Sequence, residues 1–420
     1  MKPVRSRLIL FFLVSALLHA ELPAQWRQTQ VFPGAQNVLS MASLGPYIFC
    51  GTYGAGVYCS TNEGMTWTES NYLLADPDVY ALTPAGGNLY AATDGGGVCV
   101  TTNNGSSWTT VNDGLTHFSV YALSVHASNV LAGTYHGGVF ISPFTPVLWT
   151  ASNAGLPVPV NRYWVTAFAV GSDDIFAALY GPGVYHSTNG GSSWSPANNG
   201  LITSGAVNTV FAFGGSLFAG FESEGIFRST NNGASWAEAD SGILGQWKYV
   251  RCFASRGTVL IAGTRDSGVF ISTNNGDYWT PWNAGLLYKA INALAVIDTS
   301  VYAGTWYGGV WKRPVSQLVT EVNQGHQELP ERLRLFQNCP NPFNPSTEIG
   351  YSIPVGLYGG RTSLRVFDVL GREVAILVNE VKQAGGYTVQ WDASGFASGV
   401  YFYQLKTNQF IQTKKMILAK

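Results

Sequence analysis

The sequence predicts an all-β chain in which repeated four-stranded sheets are followed by a small β-sandwich. Three observations predict it. One short phrase returns seven times at intervals of 41 to 45 residues, a period typical of propellers and solenoids. Each repeat carries four short strand patterns and no helical periodicity of useful length, which argues against a helical solenoid. The composition, with 49 Gly, 13% aromatic and only 11% charged residues, suits short strands joined by tight turns and not a disordered chain. A formal net charge of −1 supplies no basic field for nucleic acid, so no nucleic-acid partner is expected.

The first element, residues 1–20, reads as a signal peptide. Lys2, Arg5 and Arg7 precede a short apolar run from Leu8 to Leu18, with Ala20 and Ala24 as candidate cleavage positions. Residues 25–313 hold the repeats. The phrase is a small residue with Gly-Thr, a variable loop, Gly-Val, then Ser-Thr-Asn-x-Gly-x-Ser-Trp. Its Gly-Val glycines are Gly56, Gly97, Gly138, Gly183, Gly225, Gly268 and Gly309. In the second repeat, Val79–Leu82, Asn88–Thr93, Gly97–Val100 and a segment from Trp108 read as strands a to d of one propeller blade. The seventh repeat stops before its strand d. Trp26-Arg27-Gln28-Thr29, which precedes Val38 as Trp67-Thr68 precedes Val79, is predicted to supply it. The expected architecture is therefore a seven-bladed β-propeller closed by an N-terminal strand, with no sheet edge left open.

The turn phrase resembles the Asp-box of the bacterial neuraminidase repeat, with Asn in place of Asp. Its five good copies carry Asn62, Gly64 and Trp67; Asn103, Gly105 and Trp108; Asn189, Gly191 and Trp194; Asn231, Gly233 and Trp236; and Asn274, Gly276 and Trp279. The copy from Ser142 to Trp149 keeps only its ends, and Tyr278 stands where Ser or Thr belongs in the last. The predicted role is structural. Asn bonds its own backbone across a turn, Gly permits positive φ, and Trp packs on the blade. A sialidase would need an arginine triad and a Tyr/Glu pair. The Arg-Ile-Pro of that family is missing, and only Arg162 and Arg265 fall in suitable loops. The propeller also resembles single-propeller photosystem-assembly factors, without any sign of a photosynthetic partner.

Function is expected on the face opposite the Asp-box turns, where the variable b–c and d–a loops gather. The candidate ligand-binding residues are Tyr135, His136, Arg162, Tyr163, Trp164, Trp247, Lys248, Tyr288, Trp306 and Tyr307. Aromatics beside a few charges suit an extracellular glycan or protein ligand. The close carboxylates Asp76 and Asp78, or Glu222 and Glu224, leave a glycosidase as the alternative. No catalytic residue, metal site or cofactor is expected. Of the five cysteines, Cys50 and Cys59 flank a turn, and either a disulfide or two buried thiols fits them.

Residues 314–332 read as a polar linker and 333–420 as a small Ig-like β-sandwich with Gly-marked turns. This last stretch resembles the C-terminal sorting domain of type IX secretion cargo. The matching segments are Gln337–Thr347, Val366–Val374, Trp391–Gly395, Ser398–Tyr401 and Lys414–Met416. The resemblance implies a Gram-negative bacterium, passage through the periplasm, the type IX machinery as partner, and secretion or surface display.

Overall fold

The structure is a computed structural model. It describes residues 25–30, 37–171, 174–202, 205–243, 248–318, 334–338, 340–353, 361–382, 385–407 and 410–419. The expected signal peptide, most of the expected linker, Trp247 and Cys339 lie outside the described residues. The chain divides into two compact units, Met1–Val322 and Asn323–Lys420.

Among its described residues the first unit contains seven four-stranded antiparallel sheets. Strands a run Val38–Leu44, Val79–Ala85, Val120–His126, Val165–Val170, Val207–Phe213, Val250–Arg256 and Ile291–Ile297. Each hairpins into a strand b, from Tyr47–Thr52 in the first sheet to Ser300–Thr305 in the seventh, and then into a strand c, from Val57–Ser60 to Val310–Pro314. Strands d are only two residues long, as in Thr68–Glu69 and Thr109–Thr110. In the seventh sheet strand d is Arg27–Gln28, with Arg27 opposite Lys312 and Gln28 opposite Trp311. Strand a of each sheet packs on strand a of the next, and Ile291–Ile297 packs on Val38–Leu44.

Local sequence explains this regularity. Strands b are buried on both faces, so they read as unbroken apolar runs such as Leu89-Tyr90-Ala91-Ala92. The small residue of the repeat phrase sits where the next sheet comes closest. A Cβ on Gly51 would stand 2.8 Å from the Val79 carbonyl oxygen, and one on Gly304 would stand 2.5 Å from a Val38 methyl. The following Thr closes the b–c loop. Thr52, Thr93, Thr134, Thr264 and Thr305 each donate their hydroxyl to the Gly carbonyl four residues on, at 2.8–3.0 Å.

The c–d turns behave as their composition predicts. Asn62 Oδ1 accepts the Thr66 amide at 2.9 Å, while Ser60 Oγ accepts the Gly64 amide at 2.8 Å. Gly64 has φ +79°, a left-handed conformation that a side chain would strain. The tryptophans join neighbouring sheets. Trp108 Nε1 donates to the Ser70 carbonyl at 2.7 Å, and Trp149, Trp194, Trp236 and Trp279 repeat the bond one sheet further on. Trp26 does the same to the Trp282 carbonyl at 2.6 Å, and Trp67 Nε1 reaches Thr29 Oγ1 at 3.1 Å.

The structure decides one open reading and adds one feature. Cys50 pairs with Tyr58 and Cys59 with Phe49, so the two cysteines point to opposite faces of the sheet and both are free. The added feature is a further asparagine in five of the seven repeats, outside the phrase. Asn71, Asn112, Asn153, Asn198 and Asn283 each accept the Val amide of Gly-Val at 2.7–2.8 Å and donate back to a b–c loop carbonyl.

The second unit is a sandwich of a three-stranded and a four-stranded antiparallel sheet. The first holds Arg334–Leu335, Ser346–Ile353 and Gly385–Asp392. The second has the order Glu373–Val381, Arg361–Phe367, Gly399–Lys406, Ile411–Leu418. Its core includes Ile349, Tyr351, Leu364, Val366, Trp391, Tyr403 and Met416.

Candidate functional site

The site begins with an irregularity in strand a. In every one of the seven sheets the a–b register slips at the second residue of strand a. The extra residues are Leu39, Tyr80, Tyr121, Thr166, Asn208, Arg251 and Asn292. A bulge of this kind redirects one side chain without ending the pairing. Here several of the redirected groups reach the next sheet. Thr166 Oγ1 donates to the Val207 carbonyl at 2.8 Å, Asn208 Nδ2 to that of Val250 at 3.2 Å, and Asn292 Nδ2 to that of Val38 at 3.1 Å. Arg251 Nη1 donates to Asn292 Oδ1.

The bulge residues Tyr80, Tyr121 and Arg251 join loop residues in a run of ring, cation–π and hydrogen-bond contacts. Tyr80 and Tyr121 lie 4.2 Å apart between centroids, and Tyr121 lies 6.1 Å from Trp164. Trp164 is 5.0 Å from Tyr135 and stacks at 4.6 Å on Tyr180. The Tyr180 hydroxyl donates to Glu222 at 2.5 Å, and Glu222 also reaches Tyr249. Arg251 stands 5.2 Å from the Tyr249 ring and 5.8 Å from that of Trp306, and Trp306 lies 6.3 Å from Tyr53. Tyr53 is in turn an electrostatic neighbour of Tyr80. Arg265 lies 5.1 Å from the Tyr249 ring.

Four hydroxyls of this collar, those of Tyr80, Tyr121, Tyr180 and Tyr249, hold their protons more tightly than a free tyrosine. By accepting a hydrogen bond from the Tyr180 hydroxyl, Glu222 pushes the Tyr180 pKa up to about 12, with burial adding to it. Burial raises Tyr80, Tyr121 and Tyr249 as well. The carboxyl of Asp78 is also raised, first by burial, against the opposing Gly54 amide, and further by Asp76 and Asp94. Neutral donors set among aromatic rings and a few charges suit ligand recognition. Among the described residues no cluster of His, Cys, Asp and Glu is arranged to hold a metal.

The candidate residues separate into groups. Tyr135, Trp164 and Trp306 belong to the collar. His136 stacks on Tyr135 at 3.8 Å, and Tyr307 is exposed beside Trp306. Arg162 is exposed on a short 3-10 turn, Val160–Arg162. Tyr288 lies further out, against Trp311 at 6.4 Å. Tyr163 is not a surface residue: it is buried in the apolar core between the third and fourth sheets, beneath the loop that exposes Arg162. Lys248 is engaged in the scaffold, its ammonium 2.7 Å from the buried carboxylate of Asp240. Asp240 occupies the place of the repeat asparagine in the fifth sheet. Tyr80, Tyr121, Tyr249 and Arg251 were absent from the candidates because strand a reads as scaffold. The signal available was their variability, as the residues directly flanking each Val or Ile that opens strand a.

The second unit has its own constellation. Asn338 donates to the Pro340 carbonyl and to Thr347 Oγ1, both at 3.0 Å, and its amide is bonded to the Tyr403 hydroxyl. Tyr403 donates in turn to the Phe336 carbonyl at 2.8 Å. Phe343 exchanges backbone bonds with the last strand at Ile417 and Ala419. The proline-rich segment from Gln337 is thus stitched across one end of the sandwich. Residues 339–419 match the family described as secretion system C-terminal sorting domain. This segment is a type IX sorting domain. The sorting domain makes the protein one that is exported to the cell surface or secreted.

No curated protein matches the sequence. Solved structures match the first unit's architecture. Virginiamycin B lyase from Staphylococcus aureus aligns at 14% identity and TM-score 0.57, over 69% of this chain and 99% of its own. YCF48 bound to D1 peptide aligns at 14% and 0.56, over 70% and 98%. The GH74 xyloglucanase from Xanthomonas campestris aligns at 15% and 0.54, over 79% and 60%. At these identities the likeness is one of fold, the β-propeller, shared by enzymes and non-enzymes alike.

Proposed function

We propose that the protein is a cell-surface or secreted binding protein whose first unit is a closed seven-bladed propeller of the Asp-box type, and whose ligand engages the aromatic collar. Closure is supported by the Arg27–Gln28 pairing and by the inter-sheet bonds of Trp26, Trp67 and Asn292. The N-terminal segment acts as a signal peptide, the chain crosses the periplasm, and the sorting domain engages the type IX machinery.

The observation that carries the binding role is the collar itself: the bulge residues Tyr80, Tyr121 and Arg251 meet loop residues of the other sheets in one band of rings, hydroxyls and charges. Glycan or peptide ligands suit rings interleaved with hydroxyls, Glu222, Arg251 and Arg265. Glycoside hydrolysis is the second reading, favoured by the bond between Tyr180 and Glu222. It requires two carboxyl groups about 5–10 Å apart across the substrate. A tyrosine held protonated at about 12 serves better as a hydrogen-bond donor than as a nucleophile.

Incubating the full chain with glycan and peptide libraries, reading retention and release of reducing ends together, tests this. Retention without release is expected, weakened about tenfold or more in Trp306→Ala and Arg265→Ala, as for residues central to an interface. Release of reducing ends would support the hydrolase, and equal retention by both variants would remove the collar from the account.

A further inference from the structure

The two outer faces of the sorting domain differ. In the three-stranded sheet the side chains turned away from the core include Glu348, Thr388 and Gln390, as expected of a solvated face. In the four-stranded sheet Leu364, Val366, Tyr401, Tyr403 and Met416 face the core. Strand alternation then turns Phe367, Phe402 and Ile417 outward. Phe367 lies opposite Phe402, Phe402 opposite Lys415, and Val400 opposite Ile417, so these side chains form one continuous apolar end. They are only partly buried.

Beside that end stands the turn Asp368–Arg372. The Asp368 carboxylate accepts the amides of Leu370 and Arg372 at 2.9 and 3.0 Å and the Arg372 guanidinium at 2.7 Å, and the Gly371 amide closes on the Asp368 carbonyl at 3.0 Å. Those bonds hold two apolar side chains in water: Val369 is 66% exposed and Leu370 73%. A turn this tightly bonded has no folding need for Val-Leu at its tip. An apolar patch with charged groups at its margin, Lys415 opposite Phe402 and the Arg365–Glu373 pair opposite Phe367, has the anatomy of an interface: an apolar centre and a charged rim.

We propose that this face, Phe367, Val400, Phe402 and Ile417 with the Val369–Leu370 tip, is where the type IX export machinery reads the domain, through an apolar groove with an acidic margin. The inference rests on the sorting assignment. The rigid tip enters the groove, the phenylalanines cover its wall, and Lys415 meets the acidic margin. Pre-bonding the turn removes the ordering cost that a flexible tip would carry on docking.

The test uses the full chain in a bacterium that has a type IX system. A Val369→Ser/Leu370→Ser/Phe402→Thr variant should lose surface display about tenfold or more, as expected for loss of a hot-spot cluster. It should collect in the periplasm with its thermal melt preserved, whereas Thr388→Ala/Gln390→Ala on the other face should display normally. Normal display of the triple variant overturns the proposal. If the triple variant does not fold, Leu370→Asp decides alone, since its exposed side chain supports no packing; normal display overturns the proposal equally. A full-chain dimer abolished by Leu370→Asp while display persists assigns the face to self-association and also overturns it. Surface display of a chain ending at Asn338 would instead defeat the sorting assignment itself, a separately readable result.

Discussion

Asp240 shows how one side chain departs from a repeat and is compensated. Its five asparagine counterparts each accept one backbone bond and donate another. A carboxylate cannot donate, and Asp240 instead accepts from the Lys248 ammonium at 2.7 Å. Burial nevertheless raises the Asp240 pKa, the Lys248 ammonium only partly opposing it. Because the folded value lies above the unfolded one, the native state keeps the proton longer. Stability therefore falls as pH rises from the ordinary carboxylate value, about 4, through the folded value. Asp240→Asn should flatten that slope and raise Tm at pH 7 by about 2 °C, readable by melts across pH. Lys248→Met should cost about 1–3 kcal/mol at pH 7 by leaving the buried Asp240 carboxylate without its donor, and much less in the Asp240→Asn background. The repeat tryptophans admit a similar dissection. Trp108→Phe keeps the ring but removes the bond to Ser70, and should cost about 1–2 kcal/mol in denaturant titration; Trp108→Ala should cost about 3–5. The role of these tryptophans was legible in the sequence because an aromatic at fixed spacing has few other uses. That of Lys248 was not, because an exposed-looking loop lysine carries no mark of its buried partner.

At the scale of elements, the strand plan was largely readable. The period, the Gly-marked turns and the apolar runs of strands b specify their own geometry, and so does the transfer of Trp26–Thr29 to the last sheet. What escaped was the bulge in strand a. Bulging depends on the approach of the neighbouring sheet, which no alternation within a single strand encodes, so Tyr80, Tyr121 and Arg251 read as scaffold. Tyr163 failed in the opposite direction: between exposed Arg162 and half-buried Trp164, nothing in the residue types distinguishes the member that turns inward. The two-residue strand Arg27–Gln28 bears more than its length suggests, because Trp26 packs at 5.0 Å on Trp282 and bonds its carbonyl. Deleting Trp26–Thr29 should expose the edge of Val310–Pro314 and lower Tm by several degrees; an unchanged melt would refute closure by that strand.

In the whole molecule two compact units divide the work, the first carrying the collar and the second the export signal. Each has a core of its own, the first spread over the seams between its sheets and the second centred on Trp391 and Tyr403. The division was legible from the change of pattern after Pro314, since a repeat of about 42 residues cannot absorb the proline-rich segment from Gln337. The identity of the ligand proposed for the collar was not legible, because ring contacts and bulges fix a chemistry of recognition and not one ligand. The most direct measurement is the location of a chain truncated after Val322, expressed where the intact protein is displayed. The truncated propeller is expected in the periplasm, folded and with its melt unchanged. Finding it at the cell surface, or finding it unfolded, would contradict the assignment of recognition to one unit and sorting to the other.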